Sequence, residues 1–185
     1  MLINTIIRPR TERPAPNPAM PRYRLLLSLT LIALAISLAL SQRQPLPQID
    51  DRLVLQRIDG ERQRFDDFSG KPLLVTFWSP SCVICMHEVD DLNRLYAQGG
   101  SGRDFELLGV SMFYDRPDHV LEARRRADMH YPVYLDIDNS VATAFGRVQT
   151  TPTSFLIDAN GDVVLKLDGK LDFKLIDKSL NQLSA

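Results

Sequence analysis

The chain has 185 residues, 44% of them hydrophobic and 24% charged, with a formal net charge of −1. That is ordinary globular material, long enough for one domain with a real core plus an appendage. The charge is uneven: residues 1–24 carry five arginines against Glu12 alone, whereas residues 42–185 hold 17 basic and 22 acidic side chains, so the body offers nothing to nucleic acid.

Residues 1–19 contain Pro9, Pro14, Pro16 and Pro18 without apolar periodicity and are expected to be a disordered Pro/Arg-rich extension. Met20 reads as a second start and is the expected initiator, since Arg22 and Arg24 there precede the apolar run Leu25–Leu40. At ~1.5 Å per residue that run reaches about 24 Å, between a long signal h-region and a short span of the ~30 Å hydrocarbon core. Residues 20–41 are therefore expected to be a signal-anchor held in the inner membrane through residues 25–40, with the body on the periplasmic side. The alternative is cleavage after Ala39-Leu40-Ser41, before Gln42, leaving a soluble periplasmic protein. Residues 42–49, with Pro45 and Pro47, read as a stiff linker, and residues 50–185 as the folded domain.

Leu53–Leu55 and Arg62–Phe65 flank the turn dipeptide Asp59-Gly60 and predict a small N-terminal hairpin. Leu73–Phe77 is nearly continuous in apolar residues, as a strand covered on both faces should be. The only two cysteines, Cys82 and Cys85, follow directly. Beyond them Cys85, Val89, Leu92 and Tyr96 recur on one face of a helix that ends at Gly99–Gly102. At about 100° per residue Glu88 lies ~60° from Cys85, at the edge of the stripe, while His87 points ~160° away toward solvent. Leu107–Met112 reads as a second buried strand, and Asp115-Arg116-Pro117 opens a helix to about Met129 on which Arg124–Arg126 form a solvated basic face. A short strand Val133–Leu135, a helical turn Val141–Phe145, strands Thr153–Ile157 and Val163–Leu167 about Asn160-Gly161, and a last amphipathic helix from Phe173 complete the chain. The fold class is α/β, a mixed central sheet with helices on both faces.

Two thiols one helical turn apart lie roughly 5 to 6 Å from each other at Cβ, which suits a disulfide that opens and closes with little backbone movement. Ser79-Pro80-Ser81 supply turn and cap residues, placing Cys82 in the first helical turn, where unpaired N–H groups favour the attacking thiolate. Cys85, on the apolar stripe, would resolve the mixed disulfide; burial raises its pKa, so it needs a base, and Glu88 is the nearest candidate. A zinc half-site lacks further cysteines, with His87, His119 and His130 the only histidines, and a structural bond closing so small a loop would restrict the unfolded chain little. Neither metal nor other cofactor is called for. Thr151-Pro152-Thr153 stands just before a strand, an awkward place for a proline unless it turns the chain in trans or is cis; a cis bond would bring the Thr151 backbone beside the sulfurs with an unpaired edge.

Phe77-Trp78-x-x-x-Cys82-x-x-Cys85 after a buried strand, with Thr151–Asp158 and Asn160-Gly161 downstream, resembles the thioredoxin superfamily, and within it the exported TlpA-like and ResA-like thiol-disulfide oxidoreductases, over about residues 50–185. The resemblance implies a thioredoxin-like fold with a cis bond before Pro152, Cys82 as nucleophile, Cys85 as resolving cysteine, Glu88 as a functional carboxylate and Trp78, Thr151 and Pro152 as substrate-binding. It also implies exported disulfide-containing proteins as substrates and a membrane thiol electron carrier of the DsbD or CcdA type as partner. The chain departs from the pattern at Ser81 and Thr76, where thioredoxins carry tryptophan and a buried acid, and at Thr153, where cytochrome c maturation proteins often carry glutamate. It also has Asp90 where many relatives have a helix-kinking proline, so a straighter helix is expected. Val83-Ile84 adds no charge between the cysteines, which favours reduction over oxidation. The rival readings are a peroxiredoxin, for which Val75 replaces the motif proline, and a copper-binding redox module using Cys82, Cys85 and Met86 or His87.

Overall fold

The computed structural model of the protein describes residues 22–41, 45–99 and 105–183. The stretch 1–19, the start at Met20, linker residues 42–44 and most of the loop after Gly99 lie outside the described residues. The chain divides into two compact units, Met1–Gln44 and Pro45–Ala185. In the first, Arg22–Ser41 forms one helix, α1, whose large apolar side chains between Leu26 and Ile36 stand more than half exposed. Taken over the described residues, no helix is long and apolar enough to cross a membrane.

The second unit is built on a seven-stranded sheet. Its strands are β1 (Val54–Arg57), β2 (Arg62–Arg64), β3 (Leu73–Trp78), β4 (Glu106–Ser111), β5 (Val133–Leu135), β6 (Thr153–Ile157) and β7 (Val163–Asp168), in the order β2-β1-β5-β4-β3-β6-β7. β1 and β2 form the expected hairpin, turning at Gly60 with φ +95, a conformation that glycine adopts without strain. β3 is central and buried along its whole length. It runs parallel to β4, with Trp78 opposite Ser111, and antiparallel to β6, with Phe77 opposite Thr153. β4 runs parallel to β5, while β1 and β7 close the two sides in antiparallel pairs, so the sheet is mixed as expected.

Helices cover both faces. Alternation along β3 sends Leu74 and Trp78 to one side and Leu73, Val75 and Phe77 to the other. The first face packs against α3 (Val89–Gly99), α4 (Pro117–Arg126) and α6 (Phe173–Leu183) through Leu92, Val120, Ile176 and Leu180. The second packs against α5 (Ser140–Ala144) and a 3-10 turn at Phe65–Phe68, where Phe77, Phe145 and Phe155 meet edge to face at 5.0–5.9 Å between centroids. Such contacts stabilise aromatic pairs by about 0.5–1.5 kcal/mol beyond their buried area.

Two elements differ from expectation. α4 stops at Arg126 and not near Met129, because Asp128 turns the chain at φ +50 and Asn93 on α3 clamps that turn, donating to the Asp128 carbonyl and accepting the His130 N–H, both at 2.9 Å. Within the basic run, Arg125 and Arg126 are exposed, while Arg124 is half-buried. The helix after the cysteines is not one straight rod: a five-residue α2, Val83–His87, ends at Glu88 and α3 begins at Val89. The Glu88 N–H is shared between the carbonyls of Ile84 and Cys85, at 3.2 Å each, so the chain breaks there without a proline.

Candidate active site

The sharp exit from β3 creates the site. Ser79 follows Trp78 and is buried; its hydroxyl accepts the Ser81 N–H at 3.3 Å and its carbonyl accepts the Cys82 N–H at 3.0 Å. This turn makes Cys82 itself the N-cap of α2, a correction to its expected place in the first turn. A serine-like role falls to its sulfur, which accepts the Cys85 N–H at 3.1 Å. A donor aimed at sulfur favours the anionic form when the thiol is free. Cys82 and Cys85 are disulfide-bonded with Cα atoms 5.3 Å apart. Cys82 is half-buried and Cys85 is 4% exposed, so an incoming disulfide meets Cys82 first. Val83 and Ile84, between them, are exposed, as is His87.

Glu88 is more deeply placed than its helical phase implied, at 2% exposure and not at the edge of the stripe. The break between α2 and α3 turns it inward, where one carboxylate oxygen accepts the Leu171 N–H at 2.6 Å. Burial pushes its carboxyl above the usual range, against the pull of the Leu171 hydrogen bond and the nearby Lys170. Tyr131, fully buried, lies close enough that the Glu88 charge helps raise its phenol. A carboxyl three residues after Cys85, shielded and inclined to hold a proton, has the properties of a proton acceptor for that thiol.

The Thr151–Pro152 bond is cis. Because Thr153 pairs with Phe77, this corner stands beside the end of β3, where the cysteine turn begins. The Pro152 carbonyl is taken by the Gly169 N–H at 2.8 Å, whereas Thr151 makes no backbone hydrogen bond among the described residues. Tyr114 stands near this corner, its phenol pushed up by burial first and the Asp115 charge second, against the pull of Thr151. Thr153 is turned inward, donating to the Thr150 carbonyl at 2.8 Å. Trp78 requires correction: it is 3% exposed and packed in the core, so it supports the site from beneath and presents no surface to a substrate. Its parity with Leu74 on β3 is the physical reason. Thr76, on the same face, accepts the Ser154 hydroxyl at 3.0 Å, so two neutral side chains satisfy each other where an acid was the alternative.

Sequence reasoning missed Asp115. It emerges from the loop after β4 and accepts the Ser79 hydroxyl at 2.8 Å across 36 residues of chain. Burial pushes its carboxyl up, opposed by the Ser79 hydrogen bond, the Met112 N–H and His119. The only sequence signal was its position just after a buried strand.

The geometry is that of a dithiol/disulfide couple held at a strand–turn–helix junction, with Cys82 accessible, Cys85 shielded and a buried carboxyl three residues after the second. Known proteins agree. Residues 46–166 match the AhpC/TSA family. The thiol-disulfide oxidoreductase ResA of Geobacillus thermodenitrificans is 30% identical over 134 residues, covering 70% of this chain and 73% of that protein. ResA of Bacillus subtilis is 28% identical over 128 residues, covering 69% and 70%. Among solved structures, a thioredoxin family thiol:disulfide interchange protein from Chlorobium tepidum superposes with a TM-score of 0.65 at 22% identity over 77% of this chain and 99% of that one, a likeness of fold. The chain thus belongs to the AhpC/TSA family and is a thiol-disulfide oxidoreductase of the thioredoxin fold.

Proposed function

We propose that the protein is an exported protein-disulfide reductase. Cys82 thiolate attacks a substrate disulfide, forming a mixed disulfide and releasing the first substrate sulfur. Cys85 thiolate then attacks Cys82 Sγ, releasing the second. Two electrons pass from the dithiol to the substrate, and the two protons lost by the cysteines end on the substrate thiols. The observation that carries the direction is the character of Val83 and Ile84, 67% and 46% exposed and uncharged. Nothing between the cysteines favours the thiolates enough to make the reduced form the stable one, as a strong oxidant requires. Thr151, with its unpaired backbone beside the couple, suits an extended polypeptide segment that adds to the strand edge.

Export rests on α1. After Arg22 and Arg24 its residues 25–40 are apolar but for Ser28, Thr30 and Ser37, the pattern of an export signal, while no described helix is long and apolar enough to cross a membrane by itself. We assign the body to the periplasmic face of the inner membrane, with exported disulfide-containing proteins as substrates and a membrane thiol carrier of the DsbD or CcdA type restoring the dithiol.

The test is a redox titration of the protein in dithiothreitol and glutathione buffers, with thiols trapped and counted, repeated on Cys82→Ser and Cys85→Ser. A two-electron couple well below the glutathione range is the expected result. A couple at or above that range refutes the reductase direction. Fast peroxide consumption that needs Cys82 alone would replace this reading with a peroxidase.

A further inference from the structure

We propose that Asp115 is a second carboxylate of the redox site, a positioning residue that holds the turn carrying Cys82 and sets the charge facing that sulfur when the disulfide opens. The proposal rests on the redox couple described above and adds a residue to it.

The connection is short and continuous. Asp115 Oδ1 accepts the Ser79 hydroxyl at 2.8 Å, Ser79 and Ser81 hydroxyls are 2.9 Å apart, and the Ser79 carbonyl accepts the Cys82 N–H at 3.0 Å. The side chain that orients Ser79 therefore orients the residue whose main chain fixes Cys82. The register of the sheet makes this meeting unavoidable: Trp78 lies opposite Ser111 in the parallel pair of β3 and β4, so both chains leave the sheet side by side.

The other oxygen of the carboxyl is the unexpected feature. Asp115 Oδ2 is buried and makes no hydrogen bond of its own, since the Met112 N–H, the other donor that faces the carboxyl, is given to the Trp78 carbonyl at 3.3 Å. A turn brace needs one acceptor, and an amide or hydroxyl would supply it at lower cost than a carboxylate with an unmatched buried oxygen. An ionisable group with an unmatched oxygen, joined through Ser79 alone to the residue whose thiol gains and loses a proton, suits electrostatic coupling to that thiol. The charged and titratable groups facing Asp115 are His119 on α4, which favours its anion, and Tyr114 on its own loop, whose phenol the Asp115 charge pushes up. From the β3–α2 turn it meets the neutral Ser79, whose hydroxyl in turn faces that of Ser81. Each cysteine then has its own carboxyl nearby in the chain or the turn: Glu88 three residues after Cys85, and Asp115 bonded to the Ser79 that fixes the Cys82 turn. The Asp115 anion opposes the Cys82 thiolate, and the protonated acid permits it, so the two groups exchange preference as the couple opens.

The experiment is alkylation of the dithiothreitol-reduced full chain by iodoacetamide between pH 5 and 9, with the modified cysteine identified by mass spectrometry, for the wild type, Asp115→Asn and Asp115→Ala. Asparagine keeps an acceptor for Ser79 and removes the charge. The expected result is a Cys82 profile displaced about one pH unit downward in Asp115→Asn, giving roughly tenfold faster labelling near neutrality, with thermal stability retained. Profiles of wild type and Asp115→Asn that superimpose throughout, with Asp115→Ala alone impaired, would overturn the proposal in favour of a simple brace. The readout needs no protein substrate, so a failed reductase assay leaves it intact.

Discussion

Glu88 allows the sharpest separation of structure from chemistry. Its carboxylate accepts the Leu171 N–H at 2.6 Å in a site 2% exposed, so Glu88→Ala strands a buried donor and removes a packed methylene. Losing a hydrogen bond to a charged group costs about 1.5–3 kcal/mol and the methylene about 0.8 kcal/mol. The sum is a loss of about 2–4 kcal/mol, or roughly 1–2 M in urea midpoint at a slope of about 2 kcal/mol/M. Glu88→Gln keeps the acceptor and should stay within about 1 kcal/mol of wild type near pH 5. The two should part as pH rises. Burial raises the folded pKa above the reference of 4.5, so the folded state holds its proton longer than the unfolded chain and loses stability as pH climbs from 4.5 through the raised value. The glutamine variant has no such loss and should be the more stable protein above that window. In stopped-flow resolution of a Cys82 mixed disulfide, Glu88→Gln should slow release about a hundredfold at pH 7, the lower end of what a positioned base contributes. Urea curves in which Glu88→Gln falls as far as Glu88→Ala, or a wild-type stability that rises with pH relative to Glu88→Gln, would refute this account of the site.

Two further substitutions test the support beneath the couple. A Cβ at Gly109 would sit 3.0 Å from Tyr131 and 3.2 Å from the Trp78 indole nitrogen, both buried, so Gly109→Ala should cost about 1–3 kcal/mol in chemical denaturation; an unchanged midpoint would mean that this packing yields freely. Thr76→Val removes the acceptor of the buried Ser154 hydroxyl and should cost about 1–2 kcal/mol, much of it recovered when Ser154→Ala is added; strictly additive losses in the double-mutant cycle would deny the hydrogen bond.

What was legible in the sequence followed from local rules. The hairpin at Asp59-Gly60, the continuous apolar run of β3 and the spacing of Cys82 and Cys85 each express a constraint that acts within a few residues of chain. The cis bond at Thr151–Pro152 is legible only through the resemblance, since a proline just before a strand can also turn the chain in trans. Trp78 shares its face with Leu74 and Thr76, and because helices cover that face the indole is buried, contrary to the substrate contact that the resemblance implies. The break at Glu88 had no such signal, because a shared N–H and a hydrogen bond to Leu171, 83 residues away, are products of packing. Asp115 was hidden for the same reason. Its role depends on a partner 36 residues earlier, and nothing in the local pattern around Asp115-Arg116-Pro117 distinguishes it from a helix-opening acid.

These long-range meetings share one cause. β3 and β4 are parallel, so their carboxyl ends leave the sheet at the same edge, and β6 enters at that edge because it is antiparallel to β3. Neighbouring strands lie about 4.8 Å apart, so the cysteine turn, the Asp115 loop and the Thr151–Pro152 corner must adjoin one another whatever their separation in sequence. Among the described residues the opposite edge receives the turns Ser69–Pro72 and Asp158–Gly161, where the Gly70 N–H meets the Ala159 carbonyl at 2.9 Å and Asp158 braces its own turn through the Asn160 and Asp162 N–H groups. Those contacts hold turn to turn and involve no thiol or buried acid. The asymmetry explains why a two-cysteine sequence sufficed to locate the site but not to complete it: the cysteines mark the edge, and the topology of β3, β4 and β6 decides which distant residues arrive there.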